Sequence, residues 1–216
     1  MTDRTLNYIA IEGPIGAGKT SLARRLAKTF ESDLLLEGAE DNPFLERFYN
    51  DPKHAALPTQ LFFLFQRAQQ MQDLKQGELF SPVRIADFLI EKDRLFAELT
   101  LSPEELGLYD KVVESLSIDA PVPDLVIYLQ APVDVLQERI ASRGISFEQS
   151  MGQNYLQQLA EAYTRFFYDY ANSALLIVNA GHIDWVHNDE DYELLVKEIL
   201  SITHGRHFFN PGATTF

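Results

Sequence analysis

Eight residues near the start of the chain, Gly13-Pro14-Ile15-Gly16-Ala17-Gly18-Lys19-Thr20, have the types and spacing to hold a chain of phosphates. They fit the pattern G-x-x-x-x-G-K-[ST]. Glycines let the backbone curl until its N–H groups point inward at an anion, and the positive end of a following helix adds to the attraction. Lys19 is expected to reach the β- and γ-phosphates, and the Thr20 hydroxyl to hold magnesium. The flanks agree. Tyr8-Ile9-Ala10-Ile11-Glu12 reads as a buried strand, and residues 20–27 open a helix with apolar side chains at 22, 23, 26 and 27. Strand, loop and helix in that order argue against a chance glycine-rich turn. They predict a bound nucleoside triphosphate, used as phosphoryl donor or hydrolysis substrate.

Phosphoryl transfer also needs a metal ligand, a base for the acceptor hydroxyl, and cations over the developing charge. Glu37 and Asp87 each end an apolar run and are candidates for metal ligand and base, in either assignment; a strand-end acid that only caps the next helix is the alternative. Arg139 and Arg143 stand four apart on one helix face, followed by Gly144, and suit a lid (about 139–148) closing on phosphate oxygens. Two solvated arginines at a helix C-terminus would look the same. Gln60 and Arg67, seven apart amid phenylalanines, are costly to bury without partners. With Asp93 they could read a nucleobase edge, or they could tie down neighbouring backbone. His54, His182, His187, His204 and His207 show no metal-ligand spacing.

The elements that must position these groups alternate. Further strands are predicted at 34–37, 83–87, 125–129 and 175–178. Helices are predicted at 44–49, 59–76, 91–100, 103–116, 132–142, 153–170 and 192–203. Pro58 is taken to open the helix at 59, where a proline loses no hydrogen bond. Residues 204–216 carry little pattern and are expected to be mobile. The fold class is therefore α/β: a three-layer α/β/α domain with a five-stranded parallel sheet covered on both faces, and no linker or repeat dividing the chain. The apolar helix around 61–65 and the aromatics Tyr163, Phe166, Phe167 and Tyr170 offer more apolar surface than one sheet face needs, which predicts a homodimer.

Composition narrows the function further. The 216 residues contain 46 % hydrophobic and 23 % charged side chains and no cysteine, which excludes disulfides and thiolate metal sites. No apolar run is long enough to span a bilayer, and the first seven residues carry no signal-like stretch, so the expected compartment is the cytosol. With 32 acidic against 18 basic residues the formal charge is −14, and no basic cluster beyond Arg24-Arg25 is there to displace counterions, so nucleic-acid binding is not expected.

With these positions laid out, the chain resembles the deoxyribonucleoside kinases, in the branch of deoxyguanosine, deoxyadenosine and deoxycytidine kinases. The resemblance runs from Ile9 to about Tyr170. It rests on the Glu12–Thr20 loop, Glu37, Tyr49-(x2)-Pro52-(x7)-Gln60-(x6)-Arg67, Asp87-(x5)-Asp93-Arg94 and Arg139-(x3)-Arg143-Gly144-(x3)-Glu148. It implies a P-loop kinase that moves the γ-phosphoryl group of ATP, with magnesium, to the 5′-hydroxyl of a deoxynucleoside. By that resemblance Glu37 is the base, and Asp87 holds magnesium with Thr20. Tyr49 and Glu148 grip the sugar 3′-hydroxyl, Gln60 reads the base edge, and Arg67 pairs with Asp93 facing the ring. Arg139 and Arg143 form the lid. Purine deoxynucleosides are the expected acceptors, and the family also points to a dimer. Two positions depart from the pattern. Where the family carries acid-Arg-Ser, this chain reads Asp87-Phe88-Leu89, leaving Arg94 as the expected compensating cation, and Ile145 replaces a third lid arginine. A nucleoside monophosphate kinase of similar fold and a non-catalytic nucleotide-binding relative are the alternatives.

Overall fold

Leu125–Gln130 (β4) is buried along its first five residues and forms the middle of the molecule. A short run apolar on both faces suits a parallel strand with helices on either side. In this computed structural model, which describes residues 6–76, 83–148 and 151–211, β4 is flanked by Tyr8–Glu12 (β1) and Ala174–Asn179 (β5). Arg84–Ala86 (β3) pairs with β1, Asp33–Leu35 (β2) with β3, and Arg206–Phe209 (β6) with β5. The parallel sheet thus runs β2-β3-β1-β4-β5-β6.

Alternate side chains of β1 and β4 feed two cores. Ile9, Ile11, Ile127 and Leu129 pack with Leu22 and Leu26 of Lys19–Thr29 (α1), Leu136 and Ile140 of Val133–Arg143 (α6), and Leu195 and Ile199 of Asp189–Ser201 (α8). Tyr8, Ala10, Val126 and Tyr128 meet Leu95 of Lys92–Thr100 (α4) and Leu159, Tyr163 and Phe167 of Gln153–Asp169 (α7). Leu45–Asn50 (α2), Pro52–Gln76 (α3) and Pro103–Leu116 (α5) stack outside that second face. The expected three-layer α/β/α architecture is present.

Three expectations need correction. The sheet has six strands, not five, because residues 206–209 of the supposedly patternless tail add an edge strand. Arg206 anchors it by donating to the carbonyls of Phe167, Tyr168 and Tyr170. The remaining tail residues, 212–216, lie outside those described. Second, α3 starts at Pro52 and carries Pro58 inside it. Ala55 and Ala56 are buried against Leu45 and Phe48, and that packing holds the turn that proline weakens. Third, Tyr163, Phe167 and Tyr170 are buried in the core of the single chain, so they are not spare interface surface.

The chain leaves β1 for β2 on one side of it and later crosses from β3 to β4 on the other, so a crevice opens at the carboxyl end of β1. The glycine-rich loop sits there.

Candidate active site

The loop between β1 and α1 borders a cleft of about 1170 Å³. Its shape depends on residues without side chains. At Gly16, φ is +85° and a Cβ would fall 2.7 Å from the carbonyl oxygen of Leu136; at Gly13 it would fall 2.5 Å from that of Leu129. Lys19 curls back over the loop, its Nζ donating to the carbonyls of Gly13 (2.8 Å) and Pro14 (3.3 Å). Burial, with the neighbouring Lys92 ammonium, pushes Lys19 down to about 8. An arriving phosphate would reverse that shift by supplying the anion the lysine lacks.

Asp87, one residue past β3, connects this loop to the next. Its Oδ2 accepts from the Thr20 hydroxyl at 2.5 Å and its Oδ1 from the Glu37 backbone N–H at 2.8 Å. Strand β2 ends at Leu35, so Glu37 stands two residues beyond it on irregular backbone rather than at the strand end. Its carboxylate lines the cleft and pairs with Arg67 and with Lys92. Arg67 also pairs with Asp93, as the sequence predicts, and rests over the rings of Phe63 and Phe88 at 5.0 and 6.0 Å. Burial lowers Arg67 to about 10, well above neutral pH, so it stays a cation. Gln60 is buried on the same helix and faces the cleft.

The wall opposite is aromatic. Tyr49 of α2 stacks on Phe147 at 5.9 Å with planes 12° apart. Burial pushes the Tyr49 phenol up, keeping it a hydrogen-bond donor. Glu148 is buried nearby and takes Arg143 in a two-point ion pair, with Nε 3.1 Å from Oε2. Arg139 is held by the Ala180 carbonyl at 2.8 Å. Both predicted lid arginines therefore border the cleft with their charges turned toward protein partners.

Arg94 is misplaced in the sequence reading. It lies next to Asp93 on a helix, a rotation of about 100°, and that turns it away from the cleft onto Glu98 and Asp110. Three participants had been overlooked. Glu12 is fully buried and accepts from the N–H groups of Gly13 and Leu89 and from the Tyr163 hydroxyl. In the sequence it is a charge ending an apolar strand and the first residue of the loop motif, with no role of its own. Lys92 is buried between Glu12 and Glu37. Trp185, in the loop after β5, lies so close to the glycine-rich loop that a Cβ on Gly18 would meet its ring at 2.9 Å. Its status as the one tryptophan in the chain was the sole hint.

Chemically, the cleft joins a phosphate cradle to an acceptor pocket, with a carboxylate at their junction. Among the described residues, no group of three acidic or histidine side chains could cage a metal alone. Thr20 with Asp87 forms a hard-oxygen pair of the sort that shares magnesium with substrate phosphates, so the residues fit that ion. Nor, among the described residues, is any helix long and apolar enough to cross a membrane.

Comparison with known proteins gives the same picture. A family model described as deoxynucleoside kinase matches residues 9–204. A deoxyguanosine kinase of Bacillus subtilis is 39% identical over 208 residues, covering 91% of this chain and 99% of the relative. A deoxyadenosine kinase of Lactobacillus acidophilus is 29% identical over 208 residues, with coverage of 90% and 95%. Among solved structures, a deoxyadenosine kinase from M. mycoides with the products dCMP and a flexible dCDP bound superposes with a TM-score of 0.77 at 26% identity, covering 90% of this chain and all of that one. Cradle, carboxylate junction and matched length agree, and the chain belongs to the deoxynucleoside kinase family.

Proposed function

We propose that this enzyme transfers the γ-phosphoryl group of ATP to the 5′-hydroxyl of a purine deoxynucleoside. The observation that carries the reading is Glu37, fixed by its N–H to Asp87 while its side chain faces the cleft shared with Lys19. The glycine-rich loop and Lys19 take the triphosphate, Thr20 and Asp87 would hold its magnesium, and Arg139 and Arg143 turn to the phosphates as the lid closes. Magnesium would neutralise the charge that develops during transfer. Tyr49 and Glu148 receive the sugar hydroxyl, and Gln60 with the Arg67–Asp93 pair meets the base. Glu37 accepts the proton of the attacking hydroxyl. Transfer through a loose transition state asks more for placement than for basicity, which suits a carboxylate.

Little favours a monophosphate acceptor. A second phosphate would need free cations in the acceptor pocket, and Arg67 is committed to Glu37 and Asp93 there. The test offers each deoxynucleoside and each monophosphate with magnesium-ATP and scores ADP release; deoxynucleosides alone are expected to respond. ADP release with monophosphates would replace this reading by a monophosphate kinase, and no release with any acceptor would replace it by a non-catalytic nucleotide-binding protein.

Among deoxynucleosides, purines should lead, thymidine should come last, and deoxycytidine should lie between. A purine offers N7 to arginine and a substituent at position 6 alongside, whereas a thymine methyl would cover the Arg67–Asp93 pair without offering it a hydrogen bond, a loss of about 1–3 kcal/mol. The activity named for the Bacillus relative supports the purine choice. A four-way competition followed by product chromatography checks the order, and a preference for thymidine would show the pocket to be wrongly placed.

We also infer a cytoplasmic homodimer. Phe65 on α3 and Leu108 on α5 are each about half exposed on neighbouring helices, 51% and 50%, apolar area that a second copy could cover. Sedimentation velocity at micromolar concentration should show twice the chain mass of 24.6 kDa; a monomer would refute the assignment.

A further inference from the structure

Lys92 is a buried cation in the cleft whose ion-pair partners among the described residues are Glu12 and Glu37. It is 2% exposed, and its Nζ lies 2.8 Å from Oε1 of Glu37 and 3.2 Å from Oε1 of Glu12. An ammonium is costly to bury, so the site must use its charge. Neutralising Glu12 is the modest explanation, but Glu12 already accepts hydrogen bonds from Gly13, Leu89 and Tyr163, and Glu37 is the nearer partner. Arg67 reaches that same Oε1 of Glu37 from α3. Two cations from two helices thus converge on one oxygen of a side chain whose backbone lies outside any strand or helix. Such a carboxylate is held in a productive pose only by what grips its head. Converging on Oε1, they leave Oε2 for the acceptor hydroxyl.

We propose that Lys92 is a positioning residue of the phosphoryl-transfer site, clamping Oε1 of Glu37 together with Arg67 so that Oε2 is presented to the acceptor hydroxyl. It supplies a cation from the first residue of α4, whereas Phe88, packed in the apolar core, carries none. The inference rests on Glu37 being the base.

The experiment is a cycle of Lys92→Met, Glu37→Gln and the double variant, with kcat measured at saturating magnesium-ATP and deoxynucleoside. A clamp has nothing to aim once Glu37 is gone. Lys92→Met should therefore lower kcat about 50-fold alone but less than about threefold on the Glu37→Gln background, with magnesium-ATP affinity by calorimetry changed less than about threefold. Equal losses on both backgrounds, or near-wild-type turnover for Lys92→Met while Glu37→Gln is impaired, would overturn the role of Lys92 and leave Glu37 standing. Wild-type turnover in Glu37→Gln would overturn both. If Lys92→Met does not melt cooperatively, Lys92→Arg carries the same cycle. It should lose about tenfold alone and almost nothing on the Glu37→Gln background, and a loss that persists there overturns the proposal.

Discussion

Glu37→Gln is expected to lower kcat by about 10²-fold or more while leaving magnesium-ATP affinity within about threefold. The substitution keeps the shape of the side chain and removes its ability to take a proton. The lower end of the usual general-base effect applies, because a loose transition state develops little need for a strong base. The fold should tolerate the change. Arg67 keeps Asp93 and Lys92 keeps Glu12, so no cation is stranded in the interior. ATP binding is insulated too, since Glu37 is tied to Asp87, the partner of Thr20, by its backbone N–H, which the substitution leaves in place. Steady-state turnover with calorimetric titration of the nucleotide decides the matter. Retained turnover would remove Glu37 from the chemistry, and a parallel collapse of nucleotide binding would show that the variant had damaged the cradle.

How far the site could be read in advance depended on whether a residue's direction is written in local pattern. The glycine-rich loop was legible because three constraints coincide in eight positions: backbone approach, helix start and lysine reach. Asp87 was legible because β3 is short and the next residue must emerge at the sheet's carboxyl edge. The Arg67–Asp93 pair was legible from cost, since a guanidinium amid phenylalanines needs a carboxylate somewhere. Lys92 was not. It sits in the run Glu91-Lys92-Asp93-Arg94, where every residue is charged, and which of them point inward depends on α4 leaning against α7 rather than on anything in the run itself. The same degeneracy put Arg94 in the pocket by mistake.

In the fold, errors fell where tertiary packing overrides a local signal. Pro58 is a strong helix-start cue, yet Ala55 and Ala56 pack too well for the preceding turn to come apart. Residues 206–209 alternate only weakly, with Phe208 70% exposed, and become a strand because β5 offers an open edge and Arg206 finds three carbonyls. Neither condition can be computed from the segment alone.

Asp87→Asn should be the second severe lesion. We expect turnover at ordinary magnesium to fall about 10²-fold, and the magnesium needed for half-maximal rate to rise about tenfold or more. The argument concerns what an amide can and cannot accept. Asp87 uses one oxygen for the Glu37 N–H and the other for the Thr20 hydroxyl. Asparagine has a single carbonyl oxygen, and burial of the Glu37 N–H without an acceptor is the costlier mistake, so the oxygen should turn toward Glu37. The NH₂ group then faces Thr20. A donor stands where the metal requires a charged acceptor, and the one carboxylate of the pair is gone. Nucleoside affinity should change little, because the groups assigned to the sugar and base, Tyr49, Glu148 and Gln60, have no bond to Asp87 among the described contacts. Magnesium titrations of initial rate, run beside nucleoside titrations at saturating metal, separate the two quantities. An unaltered metal profile with a raised nucleoside KM would move Asp87 from the phosphate side of the cleft to the acceptor side, and Thr20 would then need another partner in holding the ion.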